Sequence, residues 1–243
     1  MKIAFLIPTT TKGTRAKKIE DTFLFKFLIQ SLIRTLSSEH KYTLYYAIDD
    51  NDKLYSKLQT KKKILNKRYY GKYQDITPVI LSTKNIEKGN VVGYWNMLFE
   101  RAYLDGNDYF VQCGDDIIFQ DNFWLEMCII NLNDALNIGC CAPQDIKMPN
   151  LMTQSVVSRK HMEIFGYYYP PELTSWFCDN WITDVYGKSF SQFLPCGLEN
   201  KGGAPRYTPP DWEITKKLCS DLVSRDKPKV LKYINLKSQV VIH

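Results

Sequence analysis

The sequence predicts an α/β fold with a mostly parallel central sheet, and three observations predict it. Short apolar runs of strand length alternate with segments of helical periodicity. The runs are rich in β-branched and aromatic residues. Three of them end in the polar stretches "IPTT", "IDDND" and "CGDD", and such sheets place their ligands outside the carboxyl ends of the strands.

Each element follows from its pattern. Residues 2–8, "KIAFLIP", read as a first strand, and residues 20–38 as a helix with Phe25, Leu28, Ile29, Leu32 and Leu36 on one face. Residues 42–48 and 77–83 read as two more strands. Residues 89–106 carry Val92, Trp95, Asn96, Phe99 and Ala102 along one helical face, and Gly106 marks the end. Strands follow at 108–113 and 138–143. Residues 154–173 and 175–188 shape the second half, and residues 196–212, rich in Gly and Pro, read as a loop. A last helix is expected to start at Thr208 as N-cap, with proline in its first turn and Asp211 at the third position, and to run into the tail.

With 243 residues, 44% of them hydrophobic, the chain has enough apolar material for one sizeable core. No internal repeat or linker interrupts it, so residues 1–243 are expected to form a single domain, with residues 1–120 and 121–243 as its halves. The net charge of +6 permits an anionic ligand without demanding nucleic acid. Much of that charge sits in residues 53–72, which read as a solvated lysine-rich helix and loop, with docking to an anionic membrane or polymer as the alternative.

Seven cysteines without C-x-x-C spacing argue against a disulfide framework and a zinc ribbon, and fit a reducing, cytoplasmic compartment. The first apolar run is too short for a signal peptide, and no stretch approaches the roughly 20 apolar residues of a membrane span.

The chemistry is expected at "CGDD". Asp115 and Asp116 stand side by side just past a buried strand, and two adjacent carboxylates repel unless solvated, hydrogen-bonded or met by a cation. P-loop, dinucleotide, zincin and serine-hydrolase signatures are missing. The three histidines, His40, His161 and His243, make a histidine-rich metal site improbable. Any metal would rest on carboxylates, and oxygen ligation selects Mg²⁺ or Mn²⁺.

Together these stretches resemble the GT-A glycosyltransferases, in particular the inverting family-2-like group. "FLIPTT" resembles the first strand and nucleotide-binding turn, "YYAIDDND" the second strand with its base-contacting acid, and "KGNVVGYWNMLFERA" the helix after the third strand. "VQCGDDIIF" resembles the D-x-D region, and "CDNWITDVYG" the acceptor-side segment with its catalytic carboxylate. The resemblance implies a three-layer α/β/α sandwich and transfer of a sugar from a nucleoside-diphosphate sugar, of uracil type by analogy, to an acceptor hydroxyl.

By the same resemblance, Asp116 would hold Mn²⁺ or Mg²⁺, with Asp115 helping the metal or facing the ribose. Pro8, Thr9 and Thr10 would line the nucleotide pocket, Asp49 or Asp50 would accept from the base, and Asn96 would point to the sugar or diphosphate. Trp176 and Trp181 would stack on the acceptor, and Asp179, rather than Asp184, would be the general base. One departure stands out: Cys113 occupies the place of the first acid of the commoner D-x-D-D form. Two alternatives stay open, a sugar-nucleotide nucleotidyltransferase suggested by "KGTR" at residues 12–15, and a sugar- or partner-binding domain without turnover.

Overall fold

A computed structural model describes residues 1–71 and 75–240, the last four of these in backbone only. Lys72, at the end of the basic run, and His243 lie outside the described residues.

The period-two pattern of the first strands decides the architecture. Along β1 (Lys2–Thr9), Ile3, Phe5 and Ile7 point to one apolar layer while Ala4 and Leu6 point to the other. β2 (Lys41–Ile48) repeats this, with Tyr42, Leu44 and Tyr46 on one side and Tyr45 and Ala47 on the other. A strand buried on both faces needs helices on both faces. The first layer is supplied by α1 (Ile29–Thr35, entered through a π-helical turn at Leu24–Leu28), α2 (Leu58–Ile64) and, further along the chain, α4 (Trp124–Asp134). The second layer is supplied by α3 (Val91–Leu104), α5 (Arg159–Phe165), α6 (Cys178–Val185) and α7 (Trp212–Val240). The result is the expected three-layer α/β/α sandwich.

The sheet is completed by β3 (Asp75–Ser82), β4 (Tyr109–Gln112), β5 (Ile117–Phe119), β6 (Cys140–Asp145), β7 (Val156–Ser158) and β8 (Ser191–Asn200). Its order is β3-β2-β1-β4-β7-β6-β8-β5. The pairs β3/β2, β2/β1, β1/β4 and β6/β8 are parallel, and the rest antiparallel. Chain order reverses direction between β1 and β4, which makes their carboxyl ends the topological switch point where doubly wound sheets bind ligands.

Two expectations are corrected. Residues 196–200, read as loop, continue β8, where Leu198 and Glu199 pair with β5 and Gly197 pairs with β6 across a bulge. The last helix is capped by Asp211, not Thr208: the Asp211 side chain accepts from the Ile214 amide at 2.9 Å. Residues preceding a proline are pushed out of the helical region, so "TPP" stays extended and the first residue able to cap is the one after it.

Candidate active site

Three strand ends and one distant loop build the site. β1 delivers Pro8 and Thr9, β2 delivers Asp49 one residue past its end, and β4 leads through Cys113 and Gly114 to Asp115 and Asp116. Together with Thr10, Tyr94 and Trp95 of α3, and Arg206 and Tyr207 of the 201–211 loop, they enclose a cavity of about 210 Å³. Pro8, Thr9, Thr10, Asp49, Asp115 and Asp116 all line it.

The acid pair is met by a cation from within the chain. Arg206 donates to both oxygens of Asp115, at 2.6 and 3.0 Å, to Asp116 at 3.2 Å, and to the Thr10 carbonyl at 3.2 Å. Thr9 donates its hydroxyl to Asp115 at 2.6 Å, tying the β1 end to the β4 end. Burial, and then the neighbouring charge of Asp115, raise the Asp116 pKa to about 6 although Arg206 pulls it down.

A divalent cation suits this donor set. The ligands on offer are hard carboxylate oxygens, and one oxygen of Asp116 is free of the guanidinium. No cluster of three or more His, Cys, Asp or Glu suited to a metal occurs among the described residues. Cys113, in the place of a third acid, is fully buried.

Asp49 accepts from the Tyr94 hydroxyl at 2.6 Å and from the Tyr207 hydroxyl. Asp50 is not among the residues lining the cavity, so the first two acids of "DDND" separate into one that faces the site and one that does not. Asp52, two residues further on, explains why the turn is so acidic. Its carboxylate accepts from the Thr11 amide at 2.5 Å, Leu54 at 2.9 Å and Tyr55 at 2.7 Å, and from the hydroxyls of Thr10 and Thr11. Burial works to raise its pKa, but these amides outweigh it and the pKa is lowered. Asp52 thus locks the loop after β1 to the loop after β2.

The 201–211 loop reaches the site through close backbone approaches. The Lys201 amide donates to the Asp116 carbonyl at 2.8 Å. A Cβ on Gly202 would lie 2.2 Å from an Asp116 carboxylate oxygen, so only glycine fits. Gly89 has φ +87° and faces the Tyr207 ring, which a Cβ would meet at 2.9 Å. Lys12 sits over that ring, 3.9 Å from its centroid.

A second cavity, of about 470 Å³, shares Gly89, Val91, Trp95, Arg206 and Tyr207 with the first. Its walls are aromatic: Trp95, Trp176, Phe177 and Trp212, the last stacked edge-on against Trp176 at 5.6 Å between centroids. Asp179, in the first turn of α6, lines it. Burial raises the Asp179 pKa to about 7, against a weak thiol contact from Cys178 and with some help from the charge of Asp145. Asp184 is exposed on the far side of α6.

Two site expectations are corrected. Trp181 is fully buried among Phe165, Tyr167 and Tyr169 and cannot meet a ligand; Trp95 and Trp212 take its place. The reason is helical phase, because Trp181 lies about 200° from Asp179 on α6, so the carboxylate facing the cleft turns the indole into the core. Asn96 accepts from the Tyr168 and Tyr169 amides, at 3.0 and 2.9 Å, and donates to the Tyr169 carbonyl at 2.8 Å, so it satisfies a loop backbone rather than a nucleotide. His161, bonded to Tyr186 and the Tyr168 carbonyl, has its pKa lowered to about 4 by burial, as for a core histidine.

Sequence reasoning missed Tyr94, Tyr207, Trp212, Gly202 and Asp52 as parts of this region. Each owes its place to a tertiary contact with a partner far along the chain or to a loop closure.

No protein-family model and no curated protein sequence matches the chain. Solved structures do. S. aureus TarS 1–349 in complex with UDP-GlcNAc superposes with a TM-score of 0.60 at 13% identity, over 93% of this chain and 66% of that one. GalNAc-T7 with UDP, GalNAc and Mn²⁺ gives 0.57 at 10% identity, over 82% and 43%. The mannosyltransferase PcManGT of Pyrobaculum calidifontis with GDP-Man and Mn²⁺ gives 0.51 at 10% identity, over 80% and 56%. The chain thus spans about two thirds or less of the length of each. With its parallel strand ends, acid pair and curled eight-stranded sheet, the chain has the fold of the GT-A glycosyltransferases.

Proposed function

We propose that the chain is a single catalytic domain that transfers a sugar from a nucleoside-diphosphate sugar to an acceptor hydroxyl, with inversion and with Mn²⁺ or Mg²⁺. The observation that carries this is the shared wall of the two cavities: Asp49, Asp115 and Asp116 line one and Asp179 the other, and Trp95 and Arg206 line both.

In this reading the donor lies over residues 8–10, its base bonded to Asp49 and its diphosphate beside Arg206 and the acid pair. Asp116, with Asp115, would hold the divalent ion, which when bound neutralises the charge gathering on the leaving diphosphate. Arg206 then turns from the carboxylates toward the phosphates, for which its planar fork is equally suited. The acceptor oxygen attacks the anomeric carbon from the side opposite the diphosphate. Asp179 takes its proton as the new C–O bond forms, and the old one breaks with its electron pair on the diphosphate.

The halves divide the labour unevenly, since residues 1–120 supply the acids of the donor cavity while 121–243 supply Asp179, the aromatic wall and also Arg206 and Tyr207. Seven cysteines, all free and buried, support a reducing compartment such as the cytoplasm. No helix among the described residues is long and apolar enough to cross a membrane.

Arg206 lying across the acid pair favours a second reading, a donor-binding domain without turnover. Thermal-shift titration with UDP- and GDP-sugars, with and without Mn²⁺, detects donor binding in either case. Release of free nucleoside diphosphate supports the enzyme, and binding without any product supports the second reading.

A further inference from the structure

The most basic stretch of the chain has no part in the site. Residues 53–68 contain Lys53, Lys57, Lys61, Lys62, Lys63, Lys67 and Arg68 and no acidic residue. Among the described residues, the ion pair that reaches this patch is that of Lys63 with Glu20, at 3.8 Å.

Two leucines stand among these cations in solvent: Leu58 is 68% exposed and Leu65 47%. At 100° per residue, Leu58, Lys61, Lys62 and Leu65 fall within an arc of about 100° on α2, opposite the inward-facing Thr60 and Ile64. The outward face of α2 and its C-cap Leu65 is therefore a stripe of leucine, lysine, lysine, leucine, with Lys53, Lys57, Lys67 and Arg68 in the chain on either side of the helix.

We propose that this face docks on an anionic lipid surface. Charge complementarity calls for a negative partner, and the leucines decide its kind. A nucleic acid or a soluble polyanion uses the cations and gains nothing from two exposed leucines. A lipid interface takes both, because leucine side chains enter the acyl boundary while lysine stems lie along it with their ammonium groups among the headgroups. Lys53 also lines the rim of the pocket beside Asp49, so the basic face runs up to the donor cavity. The proposal does not depend on what the site catalyses.

The test is co-sedimentation of the full chain with phosphatidylcholine vesicles that lack or contain about one third phosphatidylserine. Wild type is expected to sediment with the anionic vesicles at low salt and to be released by high salt. Each cation at such a surface is worth roughly fivefold in partitioning, so Lys61→Glu/Lys62→Glu should lower it by more than about tenfold. Leu58→Ser/Leu65→Ser should lower it by about tenfold or more while leaving elution from a heparin column unchanged. Leu58, Lys62 and Leu65 are exposed and Lys61 is half-buried, and an unchanged melting temperature verifies the fold of both variants. Failure of wild type to bind anionic vesicles, or vesicle binding that survives the leucine double variant, overturns the proposal; so does binding to heparin alone.

Discussion

Arg206 holds Asp115 through two hydrogen bonds, of 2.6 and 3.0 Å, although the two residues stand 91 positions apart in the chain. The guanidinium fills the position of a cation at the acid pair, and what it does when a donor arrives can be measured.

Arg206→Ala is expected to weaken nucleoside-diphosphate binding by about tenfold or more, since a charge-assisted hydrogen bond contributes about 1.5–3 kcal/mol. The remaining affinity should depend more steeply on Mn²⁺, because the metal is then the main positive charge at the diphosphate. Arg206→Lys should recover only part, as an ammonium cannot bridge two oxygens in a plane. Calorimetric titration with UDP or GDP at several Mn²⁺ concentrations reads both effects.

Asp49→Ala should weaken nucleotide binding by roughly tenfold or more without altering its metal dependence, since base and diphosphate are separate parts of the ligand. Asp50→Ala should change it by less than about twofold. The same titration checks the pair, and equal losses at both positions would return "DDND" to an ordinary turn.

Gly202→Ala drives a methyl group to within 2.2 Å of the Asp116 carboxylate and must push the loop off the acid pair. Transfer should fall by more than tenfold while the melting temperature moves little, because Gly202 belongs to a surface loop outside both apolar layers. A lower melting temperature with full activity would show that the contact serves the fold alone.

Asp179 couples function to stability. Its pKa is raised to about 7, so the fold favours the protonated acid: stability is fully present below the unfolded value near 3.8 and is lost as pH rises through about 7. Asp179→Asn removes that cost. The variant should melt several degrees above wild type at pH 8 and level with it at pH 4, as scanning calorimetry would read.

Much of this was legible in the sequence. β1, β2 and β4 were readable because strands buried on both faces are continuous apolar runs, and Asp49, Asp115 and Asp116 because each follows such a run directly. Helical phase keeps Asp179 and Asp184, five positions apart, from sharing one ligand, and the choice of Asp179 rests on its place between Trp176 and Trp181 and on the family resemblance. Phase was not applied to Trp181, which the same rule sends to the core. β8 was hidden because Pro195 and Gly197 read as breakers, whereas a bulge between β6 and β8 absorbs them. Tyr94 and Tyr207 carry no local mark, since what brings them to the cavity is contact with an acid from elsewhere in the chain.

The central claim is transfer with Asp179 as the base, and the most direct measurement is nucleoside-diphosphate release from a panel of UDP- and GDP-sugars by wild type and Asp179→Asn. Wild type should release the diphosphate from at least one donor in the presence of Mn²⁺, with a rate that rises with pH through about 7. Asp179→Asn should bind that donor equally well and turn it over 10² to 10⁴ times more slowly, the order of magnitude of a lost general base. Release of pyrophosphate instead, or turnover by Asp179→Asn at the wild-type rate, would contradict the account.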